Sequence, residues 1–172
     1  MIEFKYHKSP IKNNVFVEQN EKCPVCDKYS IYSYVGPMYS YDDVEYICPI
    51  CISNGRAAKK YNAEFVDDEF LDKKIKKEYL DTLLHKTPGV FFPGQELWPS
   101  HCNDFCQFES AIKFIDDKYI NENENEISRL AALNEMTVAF FVSEVNKDYS
   151  PFWCLEFKCL HCNSIFLVAD YE

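Results

Sequence analysis

Apolar and polar positions alternate in some stretches of the chain and recur at helical spacing in others. Residues 1–22 read as extended and partly polar, with breaks at Pro10 and Asn13-Asn14. Tyr29 to Val35 alternates aromatic or β-branched residues with serine, the period of a half-buried strand, and Gly36-Pro37 marks a turn after it. Val44 to Ile47 is a second short strand candidate. Pro49 and the run Ala57-Ala58-Lys59-Lys60 predict short helix after Cys48, broken near Asn54-Gly55. Phe70 to His85 carries the clearest helical pattern: Leu71, Ile75, Tyr79, Leu80, Leu83 and Leu84 recur on one face, and Thr87-Pro88-Gly89 ends it. A stretch rich in proline and aromatic residues, Phe91 to Pro99, follows. The spacing of Phe105, Phe108, Ile112 and Ile115 predicts a helix over 105–115. That of Ile127, Leu130 and Leu133 predicts an acidic helix over 121–134. Phe152 to Lys158 and Ser164 to Val168 read as two strands flanking a tight Cys-Leu-His-Cys turn. No internal repeat of fixed period is present.

The chain has 172 residues, which fits one medium domain, 1–172, better than two small ones. With 47% hydrophobic residues, 14 Phe and 12 Tyr, it can bury a core of mixed strands and helices, so the expected class is α+β. Only four glycines are present, so Asn and Asp must serve some turns. The net charge of −10 disfavours general binding to nucleic acid and suits a basic protein partner. Solubility alone is the simpler account of such a charge. No apolar run approaches the ~20 residues of a membrane span. Met1 to Phe16 carries Glu3, Lys5, His7, Lys8 and Lys12 among its apolar residues and has no signal-peptide core. A cytoplasmic protein is the expectation.

Nine cysteines change the picture most. In a reducing compartment such a count points to metal or catalysis rather than disulfides. Cys23-Pro-Val-Cys26 and Cys48-Pro-Ile-Cys51 form two C-x-x-C pairs separated by residues 27–47. Zinc takes four ligands in a tetrahedron, and each C-x-x-C turn offers two thiolates on one side. The intervening segment is long enough for a hairpin, and Pro49 suits the first position of a helix. Knuckle, hairpin and helix start predict a treble-clef-like first zinc site. Thiol–disulfide chemistry is the rival, but redox folds need one such motif and here two occur.

Cys102 and Cys106 with Cys159 and Cys162 make a second candidate set, joined across residues 107–158. The Cys159-Leu160-His161-Cys162 turn looks like a knuckle at a hairpin tip, and Asn163 after it tolerates the left-handed conformation such turns need. Cys102 and Cys106 would face one way on a helix. The plainer reading makes these two small core residues. His101 and His161 each neighbour a candidate ligand and either could replace a cysteine, although four cysteines already complete each site. Cys154 is left over and reads as a buried hydrophobe before it reads as a nucleophile. The expected cofactor is therefore two structural zinc ions.

Other chemistry is sparse. The chain has no H-E-x-x-H, P-loop, G-x-G-x-x-G or G-x-S-x-G motif. Zinc held by four thiolates has no open position at which to activate water. Carboxylates cluster at Asp42, Asp43 and Glu45, at Asp67, Asp68, Glu69 and Asp72, and at Glu122, Glu124 and Glu126. A solvated acidic face explains them more simply than an acid/base site, and any one of them could steer a basic partner. Trp98-Pro99-Ser100-His101 gathers Trp, Ser and His. A hydrolase or transferase using carboxylates near Trp98 and His101 is thus the rival to a non-catalytic, protein-binding role.

Together these stretches resemble the CbrC family of bacterial proteins. The resemblance is carried by Phe4-Lys5-Tyr6-His7, the knuckle at Cys23 to Cys26, and Tyr34-Val35-Gly36-Pro37-Met38-Tyr39. Its longest stretch runs from Asp43 to Cys51 and through Asn54-Gly55-Arg56-Ala57-Ala58. Trp98, His101-Cys102-Asn103-Asp104-Phe105-Cys106 and Cys159 to Cys162 complete it. Ile50 stands where an aromatic residue is expected, and Asn163 where glycine is usual; neither touches a presumed ligand. The resemblance implies tolerance of, or immunity to, a nuclease-type colicin, and names no reaction. Nuclease toxins are basic because they bind phosphates, so a −10 chain suits such a partner.

Overall fold

The computed structural model describes residues 2–94 and 97–171. Met1, Gln95, Glu96 and Glu172, which include both ends of the expected domain and part of the Phe91–Pro99 stretch, lie outside the described residues. The fold is mixed α/β, and among the described residues three strand-paired units carry it.

The first unit is a hairpin. β1 (Phe16–Lys22) and β2 (Tyr29–Tyr34) pair antiparallel, with Phe16 opposite Tyr34 and Lys22 opposite Tyr29. Two short helices follow, α1 (Pro49–Ser53) and α2 (Arg56–Tyr61). They break where expected, at Asn54-Gly55, because Gly55 takes φ 73, a left-handed position that costs glycine nothing. Phe4, Phe16, Tyr34, Ile47, Ile52 and Phe65 pack with Cys23, Cys48 and Cys51 into one core.

The third unit is an antiparallel sheet in the order β5 (Gln107–Ile112), β6 (Phe152–Lys158), β7 (Ile165–Tyr171). Alternation along β6 gives the sheet a core on each face. Leu155 and Phe157 join Trp98, Phe105 and Leu83, the last from α3 (Lys77–Lys86). Phe152 and Cys154 join Ile127, Leu130 and Phe141. The last three come from α5 (Glu124–Leu133) and α6 (Val138–Val145), which follow α4 (Asp117–Glu122). Between these units, β3 (Ser100–His101) and β4 (Asp104–Phe105) form a minimal hairpin. The N-terminal segment ties the parts together. Phe108 N–H donates to Tyr6 O at 2.8 Å and Lys8 N–H to Phe108 O at 3.0 Å, so residues 6–8 extend the edge of β5. Phe65 N–H donates to Leu84 O at 2.9 Å, and Gly89 N–H to the Tyr34 hydroxyl at 3.0 Å.

Four expectations are corrected. The helix expected over 70–85 begins only at Lys77. Before it, Asp67 and Asp72 accept the Glu69 and Lys74 N–H groups, side-chain bonds that compete with a helix. The helix expected over 105–115 is a strand, β5. Val44 to Ile47 is not a strand, since Tyr46 takes φ 63 and only Ile47 O reaches β2, from Tyr34 N–H at 2.9 Å. The helix over 121–134 is two helices meeting at Asn123. No helix among the described residues is long and apolar enough to cross a membrane.

Candidate metal centres

Two C-x-x-C turns, far apart in sequence, fold alike. Each sits at a hairpin tip, between β1 and β2 or between β6 and β7. In the first, Cys23 N–H donates to Lys28 O and Asp27 N–H to Cys23 O, both at 2.9 Å, with Asp27 at φ 60. In the second, Cys159 N–H donates to Ser164 O at 2.9 Å and Asn163 N–H to Cys159 O at 3.1 Å, with Asn163 at φ 62. Asp and Asn accept this left-handed position more readily than most residues, so they do here what glycine would do elsewhere.

The first turn meets the start of α1. Cys23, Cys26, Cys48 and Cys51 place their sulfurs within 4.8 Å of one another. Cys48 is the residue before the helix and Pro49 occupies its first turn, so both Cys48 and Cys51 face the hairpin tip. The Cys26 and Cys48 sulfurs are 3.9 Å apart, close to the ~3.8 Å edge of a tetrahedron with ~2.3 Å zinc–sulfur bonds. Cys23, Cys48 and Cys51 are buried and Cys26 is half-buried. Burial raises the Cys23 thiol, but N–H groups of Cys48, Val25 and Cys26 outweigh it and bring it to about 7. The Cys48 N–H lies 3.4 Å from that sulfur. Hydrogen bonds of this kind favour the thiolate, the form a metal takes. In Cys51 burial wins and the thiol is pushed up.

The second turn meets the β3–β4 hairpin. Here the four donors within 4.8 Å of one another are His101, Cys102, Cys159 and Cys162. His101 Nδ1 lies 3.3 Å from both the Cys102 and Cys162 sulfurs, near the ~3.5 Å separation expected of nitrogen and sulfur on one tetrahedral zinc. Cys106 lies outside this group. Cys102 and Asn103, at φ 53 and 60, form the two-residue turn between β3 and β4 rather than a helix. Cys102 therefore sits at the tip beside His101. Cys106 lies past the end of β4, fully buried, with its thiol raised to about 12 by burial. Its carbonyl accepts the Trp98 indole N–H at 2.8 Å. Unlike the first cluster, this one faces solvent: His101, Cys102 and Cys162 are exposed and Cys159 alone is buried. The Ser164 hydroxyl, 3.2 Å from the Cys162 sulfur, together with the Ser164 backbone lowers that thiol to about 6.

His161 takes a supporting place. Its Nε2 is 3.1 Å from Asp104 Oδ2, and its backbone N–H donates to the Cys159 sulfur at 3.4 Å. Asp104 is buried and also accepts from Lys5 Nζ at 2.8 Å, the Tyr6 hydroxyl at 2.5 Å and Phe105 N–H at 2.9 Å. Burial raises its pKa, but Lys5, Tyr6 and His161 more than reverse that and hold it ionised. One carboxylate thus joins the N-terminal segment, the β3–β4 hairpin and the turn between β6 and β7. No spacing rule marks Asp104 in the sequence; its role follows from contacts between distant segments.

The other candidates are not among the clustered donors. Trp98 is buried with its ring against Phe157, at a centroid distance of 5.2 Å. Cys154 is buried, and burial raises its thiol to about 12. Asp42, Asp43, Glu45, Asp68, Glu69, Asp72, Glu122 and Glu124 are exposed. Glu126 differs from them. Its carboxylate accepts Leu167 N–H at 2.7 Å and binds Arg129, which donates to Leu167 O at 2.9 Å. The pair thereby occupies the free edge of β7.

The comparisons with known proteins agree in placing the chain. The profile described as "Uncharacterised protein family (UPF0167)" matches residues 1–171. The UPF0167 protein Mb2317 of Mycobacterium bovis is 32% identical over 112 residues, covering 64% of this chain and 60% of that protein. The UPF0167 protein PA1536 of Pseudomonas aeruginosa is 33% identical over 108 residues, 61% of this chain and 60% of that protein. The aligned part of the chain thus spans about 60% of the length of these curated relatives. No solved structure matches the chain. With two clusters that could hold metal ions such as zinc, and a profile matched over residues 1–171, the chain belongs to the UPF0167 family.

Proposed function

We propose that this is a non-catalytic protein held together by two structural zinc ions and acting through protein–protein binding. The observation that supports the zinc reading is that each cluster gathers four donors from two distant segments within 4.8 Å of one another, the number a tetrahedral zinc takes. Four protein donors leave no position for a water to be activated, so such ions tie chain segments rather than do chemistry. We read the first site as treble-clef-like and the second as a knuckle against a hairpin, within one domain over 1–172. Chelating the metal at neutral pH should abolish the near-ultraviolet circular dichroism of the packed aromatic residues, and zinc should restore it. An unchanged spectrum after complete metal removal sinks the structural role.

The partner in this reading is a basic protein, and a nuclease-type toxin is the kind that the CbrC resemblance suggests. Its physical support is the net charge of −10, which steers basic surfaces and weakens with salt. Capture of such a toxin at low ionic strength, lost as salt rises, is expected. No capture at low ionic strength removes the toxin reading and leaves the zinc reading intact.

A further inference from the structure

The two clusters differ in one respect that zinc binding alone does not require. The first is shielded, with Cys23, Cys48 and Cys51 buried and Cys26 half-buried. The second is open, and its two exposed sulfurs, Cys102 and Cys162, come from different segments. They flank one imidazole nitrogen at 3.3 Å each and lie within 4.8 Å of one another. A disulfide needs ~2.05 Å, so the two sulfurs must approach one another for the bond to form. Cys102 stands at the tip of a two-residue turn and Cys162 at the end of the knuckle, both at the surface. Cys159 is buried and held by the His161 N–H. Cys106 and Cys154 are buried, and Cys106 lies near enough to Cys102, Cys159 and Cys162 for their charges to help raise its thiol. Susceptibility of thiolates to oxidation follows their exposure.

We propose that Cys102 and Cys162 are an oxidation site for hydroperoxides, joining as a disulfide and releasing the metal of the second site while the first site keeps its own. The proposal rests on the two-zinc reading above. One exposed thiolate attacks the peroxide; its S–O bond forms as the O–O bond breaks, and the departing oxygen leaves as water or alcohol after taking a proton. The second thiolate then attacks that sulfur, an S–S bond forms, the S–O bond breaks, and hydroxide leaves and is protonated to water. Two thiolates, one hydroperoxide and two protons thus give one disulfide, one alcohol or water, and one further water. The peroxide is reduced by two electrons taken from the two sulfurs, and the metal does not change oxidation state. His101 and Cys159 remain, too few donors to close a tetrahedron. A dithiol reverses the step.

The test uses the purified zinc-loaded chain and hydrogen peroxide, with a chromogenic zinc chelator in solution. Zinc content is measured first, and a count below two strikes the two-zinc reading separately. Peroxide should then release one zinc ion per chain. Peptide mapping should find a Cys102–Cys162 linkage lighter by two hydrogens, and a dithiol with added zinc should restore the starting state. Release of both ions together, or a linkage at Cys159–Cys162 or within Cys23 to Cys51, overturns the proposal. So does the absence of any disulfide. The linkage map decides the matter even in a chain whose second site holds no metal, so the proposal does not depend on variants that fail to fold.

Discussion

His7 should make the stability of this protein depend on pH in a defined window. The ring is fully buried, edge-on to Phe108 at a centroid distance of 5.0 Å. Its Nδ1 donates to Pro88 O at 2.8 Å, and its Nε2 accepts the Asn13 amide at 3.1 Å. That pattern satisfies the neutral ring and has no place for a second proton. Burial accordingly lowers its pKa from 6.5 to about 4, against the Pro88 bond that raises it. The folded pKa lies below the unfolded one, so the unfolded chain binds the extra proton between these values. The stability due to neutral His7 is present above pH 6.5 and is lost as pH falls towards 4. Linkage gives a loss of about 2 kcal/mol between pH 7.5 and pH 5. For a chain of this size that is about 4–8 °C in melting temperature. His7→Phe keeps an aromatic ring but orphans the Pro88 carbonyl and removes one of the two acceptors of the Asn13 amide, at about 1–3 kcal/mol independent of pH. The assay compares melting of the two proteins from pH 7.5 to 5, with bound zinc measured at each pH, because acid also protonates thiolate ligands. The wild type should lose its advantage as pH falls while both retain metal. A difference that stays constant across this range refutes the argument that His7 is held neutral by burial.

Three further outcomes follow from packing. Glu126→Ala should lower stability by about 1–3 kcal/mol by unpairing Leu167 N–H and leaving Arg129 only its bond to Leu167 O, whereas charge reversal at exposed Glu122 and Glu124 should change melting little; the opposite ranking would show that the edge of β7 does not need Glu126. Gly89→Ala should cost about 1–3 kcal/mol or more, because a Cβ there would stand 2.0 Å from Phe65 O and 2.7 Å from the Pro37 ring; equal denaturation midpoints would contradict that contact. Asp104→Asn should cost about 1–3 kcal/mol, because the buried carboxylate that accepts from Lys5, the Tyr6 hydroxyl and His161 becomes a neutral amide, and should speed zinc loss from the second site, measured by competition with a chelator; unchanged loss would leave Asp104 a purely packing residue.

How much of this was legible in the sequence depended on whether local chemistry or distant partners decided each element. β2, the break at Asn54-Gly55 and the β6–β7 hairpin follow from alternation and turn residues within a few positions, whereas the hairpin expected within residues 27–47 is instead β2 paired with β1, which precedes the first cysteine pair. The first cluster followed from spacing, because both C-x-x-C pairs are rigid local turns. Residues 105–115 misled because β5 has an irregularity between Phe108 and Ser110. A bulge of that kind shifts alternation by one residue, so apolar positions fall three and four apart, as on a helix. The same helical reading put Cys102 and Cys106 on one face. Two consecutive left-handed residues, Cys102 and Asn103, instead make a hairpin turn and bring His101 to the site. The His-Cys dipeptide was the available signal. Asp104 carried none, since its partners Lys5, Tyr6 and His161 come from both ends of the chain. Glu126 looked like part of a solvated acidic run, and only the position of Leu167 reveals its role at the edge of β7.

The most direct test is zinc content by elemental analysis after dialysis against a chelator of intermediate strength, on the wild type, His101→Ala and Cys106→Ala. Two ions per chain are expected in the wild type, one in His101→Ala and two in Cys106→Ala. A wild type with fewer than two zinc ions, or with iron and visible absorbance in their place, contradicts the two-zinc reading. One ion in Cys106→Ala with two in His101→Ala contradicts the donor set of the second site.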